Sequence, residues 1–126
     1  MILAHWTYTR EEWKEFHHWK LRKKSLFQYL WNRLRPRKQK YTPAIKITAE
    51  SVWTNERREI FHMGGKTIHR ISIMDTGKMN VLEISYQDEK GIHEIIVPIP
   101  KGKLRDAIRL QEDLLYRYPF QVQTKL

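Results

Sequence analysis

The chain of 126 residues has no cysteine. Disulfides, thiol nucleophiles and cysteine-based zinc sites are therefore excluded. Glycine is sparse, with five residues, and none opens a phosphate-binding loop. Gly64-Gly65-Lys66-Thr67 has the tail of such a loop. It lacks the spaced first glycine and the helix that must follow, and reads as a hairpin turn. No apolar run approaches the roughly 20 residues that a spanning helix needs. Met1-Ile2-Leu3-Ala4 passes into His5-Trp6 without the apolar centre of a signal peptide. The expected location is cytoplasmic, with a peripheral place on the inner face of the membrane as an option. The most informative absence is of negative charge: from Lys20 to Lys40 there are nine basic residues and no acidic one.

Apolar residues make up 40% of the chain and five are tryptophan, which suits a folded protein rather than a disordered one. The length suits a single domain, residues 1–126, with one modest core. The net charge of +10 is uneven. Residues 1–43 hold eleven Lys and Arg against three Glu, a net +8, and residues 44–126 hold thirteen against eleven acids, a net +2. Such asymmetry points to a polyanion or an anionic membrane surface as partner. A solvated basic helix is the plainer alternative.

Taken in order, Ile2 to Tyr8 reads as a short strand. Thr9-Arg10-Glu11-Glu12 then fits a capping box, with Tyr8 and Trp13 placed as a hydrophobic staple. Glu11, Glu12 and Glu15 suit the positive end of a helix dipole. The helix runs through Trp13, Phe16 and Trp19. A second apolar face follows at Leu26, Phe27, Leu30, Trp31 and Leu34, with helical spacing. Ser25 marks a break or a second cap, and Arg35-Pro36 ends the helical pattern.

Strands take over at Ala44 to Ala49, where Ile45 and Ile47 alternate with Lys46 and Thr48. Glu50-Ser51 is a tight turn or bulge. Val52-Trp53-Thr54 and Glu59 to Met63 give further strands, and Thr67 to Met74 leads through Asp75-Thr76-Gly77 into Met79 to Tyr86. A turn over Gln87 to Gly91 returns the chain along Ile92 to Val97. Pro98 and Pro100 lack amide donors and place that end at a sheet edge or outside the sheet. Lys103 to Tyr118 is a helix with Leu104, Ala107, Ile108, Gln111, Leu114, Leu115 and Tyr118 as its buried stripe. The expected fold is α+β: an antiparallel meander forming a partly closed, pleckstrin-homology-like barrel. A C-terminal helix packs on it, and an N-terminal basic amphipathic helix precedes it. That first helix lies against the same domain or exchanges with a second copy, which would make a homo-oligomer.

This order resembles that of the YcxB-like bacterial proteins, small membrane-anchored proteins whose sheet is related to pleckstrin-homology-like domains. The resemblance rests on Tyr8-Thr9-Arg10-Glu11-Glu12-Trp13, on Ile47-Thr48-Ala49-Glu50-Ser51-Val52 and on Val97-Pro98-Ile99-Pro100-Lys101-Gly102. It implies a fold and a membrane neighbourhood, and no mechanism. Two features depart from it. The family's transmembrane pair is replaced by Ser25 to Leu34, too short to span. The family's strand-opening tryptophan is replaced by Ile60-Phe61.

No residue set converges on catalysis. His17 and His18 are adjacent on a helix, so they point about 100° apart and cannot easily share one ion. His62, His69 and His93 fall on three expected strands, His69 on the face of Ile71 and Ile73 and His93 on that of Ile95 and Val97. Glu83, alone in an apolar strand, reads as solvent-facing rather than as a tuned acid. The four serines stand in no nucleophile motif. The expectation is a non-catalytic binding or scaffolding module with no cofactor and no metal.

The segment from Lys20 to Lys40 carries the functional expectation. Lys23, Lys24, Arg33, Arg35, Arg37 and Lys38 supply the positive field, and Leu30 and Trp31 the apolar contact, as at an interfacial membrane helix. Packing of the same apolar face into the core is the favoured alternative, since a domain this size needs apolar area. Partners expected are an anionic membrane surface or a protein. Nucleic acid ranks behind them: interleaved basic and aromatic residues suit it, but no recognised binding motif is present.

Overall fold

Alternating apolar and polar residues build seven strands and two helices within residues 1–22, 44–54 and 57–118, the part of the chain that the computed structural model describes. The strands are β1 (Ile2–Trp6), β2 (Ile45–Thr48), β3 (Ser51–Thr54), β4 (Arg57–Ile60), β5 (Thr67–Asp75), β6 (Asn80–Asp88) and β7 (Gly91–Ile99). The helices are α1 (Arg10–Arg22), between β1 and β2, and α2 (Leu104–Arg117), after β7. The α+β class therefore holds, but the single meander expected from the sequence is divided. The first four strands form one antiparallel sheet in the order β1-β2-β3-β4, and the last three form a second in the order β5-β6-β7. The two are separate sheets, not a closed barrel.

The division falls where the pattern of alternation breaks. The strand expected to reach Met63 stops at Ile60. Phe61 turns inward and is fully buried, and the amides of Phe61 and His62 both donate to the Glu50 carbonyl in the β2–β3 turn. The chain then reverses at Gly64-Gly65, closed by the Lys66 amide on the Met63 carbonyl at 2.8 Å. Gly65 has φ of 83°, a conformation that residues with a Cβ avoid.

One core lies between the sheets. Trp6, Ile45, Ile47 and Val52 enter it from the first sheet, Ile71, Leu82, Ile84, Ile95 and Val97 from the second, and Ala107, Leu110 and Leu114 from α2. Each large side chain buried here contributes about 1.5–3 kcal/mol. A register shift between Ile68 and Arg70 makes His69 the extra residue of a bulge. The bulge re-phases β5 so that Ile68 and Ile71, three apart, both face the core.

Side chains tie the layers together at the ends. The capping box at α1 forms as expected: the Thr9 amide donates to Glu12 Oε1 at 2.8 Å and the Glu12 amide to the Thr9 hydroxyl at 3.1 Å. The Tyr8 and Trp13 rings meet at 5.5 Å. Glu12 also reaches across the chain, its Oε2 accepting from the Lys101 amide at 2.7 Å. Beside it the Tyr8 hydroxyl donates to the Pro98 carbonyl at 2.7 Å. Pro98 sits within β7, the edge strand, so its missing donor costs the ladder nothing. The start of α1 is thereby fixed to the end of β7.

Helix α2 packs against β5 and β1, one edge strand of each sheet. The Gln111 side-chain amide donates to the Ile71 carbonyl at 3.0 Å, filling an acceptor on the edge of β5. The Tyr118 hydroxyl donates to the Ala49 carbonyl at 2.8 Å. The buried stripe differs from the one expected: Ala107, Leu110 and Leu114 are buried, whereas Leu104 and Ile108 are exposed. The helix is rotated toward Leu110 because it must reach the edges of both sheets.

Candidate binding face

The register of the first sheet aligns four residues across its strands. His5 pairs with Lys46, Lys46 with Trp53, and Trp53 with Arg58. Successive strand residues point to opposite faces. The neighbours of these residues, Trp6, Ile45, Ile47 and Val52, are core, so the row faces away from it. All four members are exposed, and Trp53 keeps 37% of its surface in solvent. The Arg58 guanidinium lies 5.0 Å from the centre of the Trp53 ring, within range of a cation–π contact. Neither Lys46 nor Arg58 is ion-paired among the described residues. With strands about 4.8 Å apart, Trp53 stands between two unneutralised cations, one strand away on either side.

The other polar clusters are ties between strands. The Tyr86 hydroxyl lies 2.9 Å from Glu59 Oε2, linking β6 to β4, and the Lys66 ammonium sits over the Tyr86 ring at 5.4 Å. Burial and the Glu59 carboxylate push the Tyr86 pKa up to about 12. The His93 ring nitrogen lies 2.9 Å from Asp88. That contact, with the Lys90 amide, holds the Asp88 carboxyl below its ordinary range. Glu83 is not solvent-facing as its isolation in the sequence suggested: it is buried and takes Arg70 at 3.2 Å and the Ser72 hydroxyl at 3.4 Å. Glu83 lies on β6, the central strand, and both partners come from the neighbouring strand β5.

The histidines do not come together. His17 and His18 are exposed on α1, His62 stacks on Tyr118 at 4.1 Å between ring centres, and His93 holds Asp88. Among the described residues no three of His, Asp and Glu converge as metal ligands. The residues expected to bind an anionic partner, Lys23, Lys24, Arg33, Arg35, Arg37 and Lys38, and the apolar pair Leu30 and Trp31, lie outside the described residues. Among the described residues no helix is long and apolar enough to cross a membrane.

The exposed row was half legible. Lys46 between Ile45 and Ile47 announces an outward side chain. That Trp53, Arg58 and His5 stand beside it follows only from the pairing register, which no single strand encodes. Comparison with family models, with curated proteins and with solved structures finds no match.

Proposed function

We propose that the chain is a non-catalytic binding module for an anionic partner. The observation that carries this reading is the row His5, Lys46, Trp53 and Arg58, whose cations form no ion pair with a carboxylate among the described residues. Evenly solvated surfaces mix charges of both signs. The net +10 of the chain adds a long-range field of the same sign. Support for a non-catalytic role comes from the titratable contacts that do form, Tyr86 with Glu59 and His93 with Asp88, each of which joins two parts of the sheets.

The basic segment with Lys23, Lys24, Arg33, Arg35, Arg37 and Lys38 belongs to the same proposal on grounds of charge. So does a pleckstrin-homology-like assignment, supported by four strands, then three, then a C-terminal helix. A peripheral place on an anionic membrane is one setting in which such a module would act.

Retention on an immobilised sulfated polysaccharide tests the reading. The wild-type chain is expected to bind at about 50 mM salt and to elute as salt rises toward about 200 mM, as counterion release requires. Lys46→Glu with Arg58→Glu should elute earlier while melting at the wild-type temperature. An unretained wild-type chain, or a double variant eluting with wild type, would remove the proposal.

A further inference from the structure

The partner of this face can be named by its chemistry. We infer that the outer face of the first sheet binds single-stranded nucleic acid, with one base stacked on Trp53 and flanking phosphates on Lys46 and Arg58. The inference rests on the polyanion reading above and specifies it.

Three observations point to a strand with bases rather than to charge alone. The first is composition: the row alternates cation and ring, as a chain that alternates phosphate and base requires. An interfacial membrane site needs a contiguous apolar face to bury, but the two neighbours of Trp53 in the row are Lys46 and Arg58. The second is the ring pair. Arg58 already packs on Trp53, and aromatic rings and guanidinium planes are the surfaces on which proteins stack unpaired bases. The third is shape. Four strands in one layer span three spacings of about 4.8 Å, about 14 Å between outer backbones, more than the roughly 12 Å of a duplex major groove. A four-stranded face of that width is too broad to read a duplex from within its groove, but it can support a single strand laid across it.

The test uses the full chain and three ligands: a single-stranded oligothymidylate, an abasic deoxyribose-phosphate oligomer of the same length and charge, and vesicles of phosphatidylcholine with phosphatidylserine. Wild type should bind the oligothymidylate about tenfold more tightly than the abasic oligomer, the effect of one stacked base. Trp53→Ala should remove that difference and leave abasic binding unchanged, and Trp53→Phe should restore part of it. Equal affinity for the two oligomers would overturn the base-stacking inference while leaving the polyanion reading intact. Tighter, Trp53-dependent binding to the vesicles would overturn it in favour of a lipid surface. Failure to bind any of the three, the abasic polyanion included, would remove both.

Discussion

Tyr86 shows how one side chain reports on the joint between the sheets. Its ring is buried in the core while its hydroxyl meets Glu59 on β4. The fold holds its proton more tightly than the unfolded chain does, with a pKa of about 12 against 10.0. The contribution of that protonated hydroxyl is complete below pH 10 and is lost as pH rises through 12. Thermal melts across this window should therefore show wild type losing more stability than Tyr86→Phe. At neutral pH the same variant should be less stable by about 1 kcal/mol, the net value of one hydrogen bond. Parallel loss in both proteins above pH 10 would mean that the contact does not hold the proton.

Glu12 makes a second residue-scale case. Burial disfavours its charge, but hydrogen bonds from the Lys101 and Thr9 amides outweigh this and keep its pKa below the ordinary value. A lowered carboxylate stabilises the fold above its unfolded pKa, and the effect fades as pH falls through the folded one. Glu12→Gln should thus be destabilising at pH 7 and progressively less so in acid. Thr9→Ala, which removes the cap, should cost about 1 kcal/mol. Chemical denaturation at pH 7 and pH 3 distinguishes the two, since only the glutamine variant should converge on wild type at the lower pH.

At the scale of elements, the sequence made local signals legible and cross-chain ones not. The start of α1 was readable because a capping box and a staple are contacts within a few residues, and both form. The three-stranded sheet was readable because its turns announce themselves in Gly77 and Gly91. The rotation of α2 was not. Leu104 and Ile108 continue an apolar stripe, but the helix is placed by the two sheet edges it spans, and those lie far upstream in the chain. The bulge at His69 was hidden for a like reason: alternation within one strand cannot show that its partner has one residue fewer. Burial sorts the α2 side chains into two groups that mutation should separate. Leu114→Ala is expected to cost about 2–5 kcal/mol as a core truncation. Ile108→Ala, on the exposed side, should change stability by no more than about 0.5 kcal/mol. Urea denaturation midpoints check the pair, and similar losses would mean that α2 is seated differently.

At the scale of the whole molecule, two basic regions could hold the partner: the first sheet's outer face and the segment with Arg35, Arg37 and Lys38. They make different demands on the five tryptophans, and each indole N–H gives its own signal in a two-dimensional nitrogen–proton spectrum. Titration of the full chain with oligothymidylate is the most direct measurement. The Trp53 indole is expected to move first and furthest, backbone signals of Lys46 and Arg58 to follow, and the buried Trp6 indole to stay in place. Movement of the Trp31 indole with Trp53 unmoved would contradict this expectation and transfer the site to the basic segment.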